Sequence, residues 1–232
     1  MKRIVLIASI TAVCVLTVAG LLYFRSPAEG TAVAATPAPA IDIAGLKVKA
    51  EQGEAKAQTQ LGKAFAMGQG VPTDYKQAAH WYGQAASNGN VEAEAMFGEL
   101  YQAGQGVKCD LTNAARWFTV AAQAGSPSGQ YDLGYMYERG QGVPHDEKLA
   151  AHWYQLASEG GDALAQFDYG QRCFIGLGVP IDQVEGLKWL LISAKQGQAD
   201  SGQRAKLEEG RMKNDQIDEA KRRAAAFVPR AK

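Results

Sequence analysis

Cysteine is scarce in this 232-residue sequence, which contains only Cys14, Cys109 and Cys173. Cys14 lies in an apolar segment, and a bridge between Cys109 and Cys173 has no support in their spacing, so no disulfide framework is expected. An excess of charge is lacking too: 24 basic residues balance 24 acidic ones. A neutral chain has no overall field to gather nucleic acid or an anionic surface, which disfavours a nucleic-acid partner. Histidine is represented only by His80, His145 and His152. None has a second ligand at the close spacing of a zinc site, so neither a metal nor any other cofactor is expected. What the chain does have is apolar residues, 47% of the total, enough for one or two folded domains with a sizeable core.

The amino terminus stands apart from the rest. Lys2 and Arg3 precede an uncharged run of 21 residues, Ile4 to Phe24, and Arg25 closes it. Crossing a hydrocarbon layer of about 30 Å takes roughly 20 helical residues, whereas the apolar part of a cleaved signal runs to only about 7–15. The small-x-small sites Ala32-Val33-Ala34 and Ala38-Pro39-Ala40 lie well past the run, and cleavage after Thr17-Val18-Ala19 would leave Leu21, Leu22, Tyr23 and Phe24 at a new terminus. Residues 1–25 are therefore expected to be an uncleaved transmembrane anchor, with a cleaved signal peptide as the alternative. The positive charges before the run outnumber Arg25, an asymmetry that keeps the short tail in the cytoplasm and exports the remainder. The expected location is a bacterial inner membrane, single-pass, with the following domain in the periplasm; after cleavage it would be periplasmic or secreted. Residues 26–41, rich in Ala, Pro, Gly and Thr, suit a flexible tether.

Beyond the tether the sequence repeats every 36 residues. Trp81, Trp117, Trp153 and Trp189 keep this step, and so do Gly62, Gly98, Gly134 and Gly170. The series starting at Gly68, Gly70, Val71, Asp74 and Gly89 behave alike, so seven positions are identical in four units with no insertion or deletion. The units span 54–89, 90–125, 126–161 and 162–197, and the whole array 42–228. In the first unit Leu61 and Phe65 lie four apart on one face of a predicted helix, with Ala57 and Ala64 nearby. Gly62 inside that helix costs about 1 kcal/mol relative to Ala, which points to a helix crossing too tight for a side chain. Gly68 is expected to end the helix in a left-handed cap, with Val71 folding back between helices. Asp74 should cap the second helix, with Gln77 completing a box-like cap. That helix carries Ala78, Trp81, Tyr82 and Ala85 on one face, and each tryptophan is expected to be buried between the helices of its own unit and the next.

The ends depart from the pattern as terminal units must, because an unmodified end would expose its stacking face. Ile41 to Gln52 matches a second helix without its first. Gln198 to Glu209 begins a fifth first helix, and Asn214 is placed to cap a last helix carrying Ile217, Ala220, Ala224 and Phe227.

The motif Leu133-Gly134, Tyr137, Gly140-Gln141-Gly142-Val143, Asp146, Ala150 and Trp153-Tyr154, repeated in register from about Asp42 to Phe227, strongly resembles the Sel-one-like repeats, relatives of the tetratricopeptide repeat. The resemblance implies an all-α fold, a right-handed α-solenoid of helix-turn-helix units whose first helices line a concave surface. It implies a function as adaptor or scaffold, with a protein or peptide as partner. Some cysteine-rich members of the family are linked to penicillin binding or hydrolysis. This chain lacks their paired cysteine in each repeat and has no Ser-x-x-Lys, so the expectation is a binding protein and not an enzyme. An envelope enzyme acting on cell wall or β-lactams, or a regulatory subunit of a membrane complex, is the competing reading.

Binding is expected at first-helix positions that vary while the framework stays fixed. Positions 59, 63 and 66 and their equivalents share a face apart from the Leu61 stripe. They read Thr59, Lys63 and Ala66; Ala95, Glu99 and Gln102; Tyr131, Tyr135 and Glu138; Phe167, Gln171 and Phe174. The candidate protein-binding residues are Lys63, Glu99, Tyr131, Tyr135, Glu138, Phe167, Gln171 and Phe174, with aromatic area concentrated in the third and fourth units. For Tyr131 and Phe167, packing against a neighbouring first helix is an equal alternative. His80, Arg116, His152 and Lys188, each just before a tryptophan, form a second candidate row on the second helices, where a solvated polar stripe is the simpler reading. The aspartates of the 74 series are too far apart to share a metal. The Gly68-x-Gly70 pairs lack the third glycine and preceding strand of a nucleotide loop, and read as helix ends.

Overall fold

The computed structural model describes residues 41–230, so the anchor or signal at 1–25 and nearly all of the tether lie outside the described residues. Those described form eleven α-helices and no strand. In order they are α1 (Ile43–Glu51), α2 (Ala55–Met67), α3 (Tyr75–Ser87), α4 (Val91–Ala103), α5 (Leu111–Gln123), α6 (Pro127–Arg139), α7 (Glu147–Glu159), α8 (Ala163–Ile175), α9 (Gln183–Lys195), α10 (Ala199–Glu209) and α11 (Asn214–Ala226). None of them is long and apolar enough to cross a membrane. The chain divides into two compact units, Met1–Ala114 and Ala115–Lys232, with the division inside α5.

In the first unit α1 packs on α2, α2 on α3 and α3 on α4. The leading helix α1 is the half-unit that the sequence predicted, and its Ile43, Leu46 and Ala50 join Ala57, Leu61 and Phe65 around Trp81. Trp81 is thus held by its own first helix and by the second helix of the preceding unit. In the second unit α6 packs on α7, α7 on α8 and α8 on α9, while α10 and α11 both pack on α9. Trp189 sits among Ala150 and Tyr154 of α7, Tyr169 and Cys173 of α8, and Ala224 and Phe227 from the far end. The expectation that all four tryptophans are buried needs correcting. Trp81 and Trp189 are 7% and 1% exposed, whereas Trp117 and Trp153 are only half-buried. Cys173 is a buried free thiol, which rules out the Cys109–Cys173 bridge.

The periodic residues do local work. Asp74, Asp110, Asp146 and Asp182 each accept from a backbone amide in the first turn of the following helix. Each also donates its own N–H to a first-helix carbonyl nine residues back, Phe65 in the first case and Cys173 in the last, at 2.9–3.0 Å. One residue therefore starts the second helix and pins the loop. Gln77 takes part through its backbone N–H, which donates to Asp74 Oδ1. In α11 the cap is not Asn214, which is already helical. Lys213 is the cap position, and the Gln216 side chain accepts from its N–H. Gly62 and Gly134 face the rings of Tyr82 and Tyr154, and a Cβ at either would stand 2.7 Å or 3.0 Å from a ring carbon. The tight crossing expected at the Gly62 series is thus seen in both units. Val179 packs against the Trp189 cluster, as expected of the returning valines.

A further series joins the helices. Gln58, Gln130 and Gln166 are buried, and each donates its side-chain amide to a carbonyl eight residues back, those of Ala50, Ala122 and Ser158, at 3.0–3.1 Å. Glu94 stands at the same step in α4, 4% exposed, and its Oε2 has no hydrogen-bond partner among the described residues. An ionised carboxylate cannot donate to a carbonyl as the amides do, and burial raises the Glu94 pKa. Because the folded pKa lies above the unfolded one, the protonated group favours the fold and that contribution is lost as pH rises through the folded value. Glu94→Gln is therefore expected to stabilise the protein at neutral pH by about 1 kcal/mol, the net worth of a regained hydrogen bond. The gain should shrink toward pH 4, which melting curves of both proteins across that range would show.

Candidate protein-binding site

The first-helix positions separate into three groups. The 59 series points inward. Thr59 and Ala95 are buried, with the Thr59 hydroxyl donating to the Ala55 carbonyl, while Tyr131 packs on the Trp189 cluster and Phe167 on the Leu187–Leu190 cluster. Thr59 and Ala95 therefore belong to the core and not to an open face, while Tyr131 and Phe167 are half-buried and take the packing role that was the alternative for them. The 66 series is mixed: Ala66 is half-buried, Gln102 is buried, Glu138 is half-buried and engaged, and Phe174 lies over Gly186, whose added Cβ would come within 2.8 Å of its ring. Phe174 is thus a packing residue between α8 and α9. The 63 series is the open one: Lys63 is exposed, and Glu99, Tyr135 and Gln171 keep part of their surface. Tyr135 has one side against the Trp189 cluster, with the Arg139 guanidinium 5.4 Å from its ring centroid.

The same helices carry a charged network that the spacing did not predict. Arg172 of α8, its side chain 5% exposed, reaches Glu147 Oε2 at the start of α7 at 2.5 Å and Glu138 Oε2 at the end of α6 at 2.8 Å. The Tyr154 hydroxyl donates to the same Glu138 oxygen at 2.8 Å, and the guanidinium stands 5.0 Å from the Tyr154 ring centroid. His145 closes the loop side, with Nδ1 2.8 Å from the Glu138 carbonyl and Nε2 3.4 Å from Glu147 Oε1. Burial, and then the negative charge of Glu138, push Asp168 up to about 7, against the pull of a Tyr131 hydrogen bond and of Arg172. The same burial drives the phenols of Tyr131 and Tyr154 far above their ordinary range, so both stay neutral. Two glutamates sharing one arginine tie α6, α7 and α8 together, and removing one partner of such a set leaves an uncompensated charge. A signal for it was available. Positions 64, 100 and 136 are Ala, Leu and Met, buried in each case, and Arg172 puts a charge at that core step.

The second-helix row has a different role. His80 and His152 meet the edges of Trp81 and Trp153 at centroid distances of 4.9 and 5.3 Å. Arg116 lies 5.2 Å from the Trp117 ring and Lys188 Nζ 3.9 Å from that of Trp189. Each basic residue shields the tryptophan that follows it. Among the described residues no group of histidine, cysteine or acidic side chains could hold a metal.

Helix pairs repeating in register with a fixed framework define the class of helical repeat proteins. More narrowly, the chain belongs to the Sel1 repeat family, whose model matches residues 55–90, 91–126, 127–162 and 163–198. Among solved structures, a Sel1 repeat protein from Oxalobacter formigenes is 34% identical with a TM-score of 0.65, covering 71% of this chain and 48% of its own. The present chain thus spans about half the length of that protein. The cysteine-rich protein B of Helicobacter pylori is 25% identical with a TM-score of 0.42, covering 54% of this chain and 95% of its own. No curated protein matches.

Proposed function

We propose that this protein is a non-enzymatic scaffold that binds a protein or peptide through the first-helix face of α6 and α8, with Tyr135, Glu138 and Gln171 at its centre. Lys63 and Glu99 are the equivalent positions of the first unit. The observation that carries the reading is that Tyr135 and Gln171 keep open surface on α6 and α8, two helices that the Arg172–Glu138 pair ties together. Side chains whose backbone is already fixed lose little entropy on binding, and a tyrosine offers large contact area at small cost. Display on the exported side of a bacterial inner membrane, through Ile4 to Phe24, is supported by the length of that run and by Lys2 and Arg3 before it.

A photo-crosslinking residue at Gln171 or Tyr135 of the full chain in intact cells tests both parts. The expected result is one discrete adduct, formed from either position and not from His80, in a membrane fraction that resists alkaline carbonate. Adducts from His80 alone would move the site to the second helices. Release by carbonate would replace the anchor with a cleaved signal.

A further inference from the structure

The segment that follows α11 leaves the helix and runs back over the second unit. Phe227 turns extended and sets its ring edge-on against Trp189, centroids 5.1 Å apart. Pro229 comes to rest over Gly161, where an added Cβ would meet its ring atoms at 3.3–3.4 Å. Arg230 donates its backbone N–H to the Glu159 carbonyl at 2.9 Å, and its guanidinium pairs with Glu159 Oε2 at 2.8 Å. Of the glycines that end second helices at positive φ, Gly53, Gly89, Gly125 and Gly197 would meet nothing within 4 Å, so Gly161 alone in that group carries a contact. The seat has a definite chemistry: an aromatic wall, a flat glycine shelf and a carboxylate with the backbone carbonyl of the same residue beside it.

The fit is incomplete in a telling way. Val228 is 79% exposed, so the second position of the segment reads nothing. Trp189 Nε1, buried under Phe227, finds no acceptor among the described residues, and a buried donor without a partner is costly. A segment that leaves one of its own positions unread and a buried donor unpaired can be replaced by another of the same pattern.

We propose that the surface formed by Trp189, Gly161 and Glu159 is an extended-peptide site, distinct from the first-helix face, that residues 227–230 occupy as an internal ligand. The occupant it takes from a partner is a segment of the pattern aromatic-any-Pro-Arg, with the aromatic ring against Trp189 and the Arg on Glu159. Binding there requires the chain's own segment to leave.

The test uses the full chain and a fluorescent peptide of residues 224–232, followed by anisotropy. The wild type should show little binding, because its own segment competes at high effective concentration. The Phe227→Ala/Arg230→Ala variant should bind the peptide one-to-one and at least tenfold more tightly, and adding Glu159→Gln should weaken that binding several-fold. A variant with unchanged circular dichroism that fails to bind overturns the proposal, as does equal binding by wild type and variant. If the double variant loses its helical signal, Arg230→Ala alone decides. It removes only the rim ion pair, and the site requires it to bind several-fold more tightly than wild type, while no gain overturns the proposal.

Discussion

Trp189→Ala is expected to lower the stability of the protein by about 3–5 kcal/mol, the cost of deleting a large, fully enclosed aromatic. The indole is 1% exposed and touches α7, α8 and the residues after α11, so its loss opens a cavity that no single neighbour can fill. Tyr169 and Phe227 would each lose an edge-to-face partner. The same change at Trp117 should cost distinctly less, because that ring is only half-buried. Urea denaturation of both variants gives the comparison. Equal losses would mean that the packing of the four units is uniform and that Trp189 has no special enclosure.

Gly178→Ala should be as damaging as many core deletions although it adds a single methyl. The residue has φ of +76°, where an L side chain costs about 1–2 kcal/mol. Its Cβ would also fall inside the van der Waals radius of the Glu147 carbonyl oxygen, and a backbone group at the start of a helix cannot swing aside. Overpacking of that kind adds about 1–3 kcal/mol, for a total of about 2–5. Gly106 meets the Tyr75 carbonyl in the same way in the first unit, so Gly106→Ala should behave alike. By contrast Gly197→Ala, at φ of +91° with nothing within 4 Å, bears only the conformational cost. Thermal melts of the three variants separate strain from collision. A Gly178 variant no worse than the Gly197 one would remove the collision from the account.

This contact also shows where sequence reading stopped. The 36-residue step of Gly68, Asp74 and Trp81 made the helices, their ends and the family legible, since each residue acts within its own unit. Gly70 and its equivalents read as parts of a turn, yet Gly106 and Gly178 serve just as much to let a turn approach the helix one unit earlier. That second role is between units and leaves no mark at short spacing. The Gln58 series was periodic and visible, but a polar residue on a helix does not announce that it faces a carbonyl eight residues back. Arg172 draws on Glu138 and Glu147, positions with no periodic relation to it, and the Phe227–Trp189 contact joins residues outside the repeat. Among the candidate positions, spacing put Tyr131, Tyr135 and Phe167 on a shared face of their helices. How much of each stays open depends on the neighbouring helix, and of the three series only the 63 series has no buried member.

The claim that the first-helix face binds and the second-helix row shields is tested most directly by affinity once a partner has been captured. Titration calorimetry would compare the wild type with Tyr135→Ala and with the His152→Ala/Lys188→Ala pair. The account predicts that Tyr135→Ala weakens binding by about 1 kcal/mol or more, roughly fivefold, while the His152 and Lys188 pair changes affinity little and lowers the melting temperature instead. Unchanged affinity for Tyr135→Ala, together with loss of binding in the pair, would contradict it.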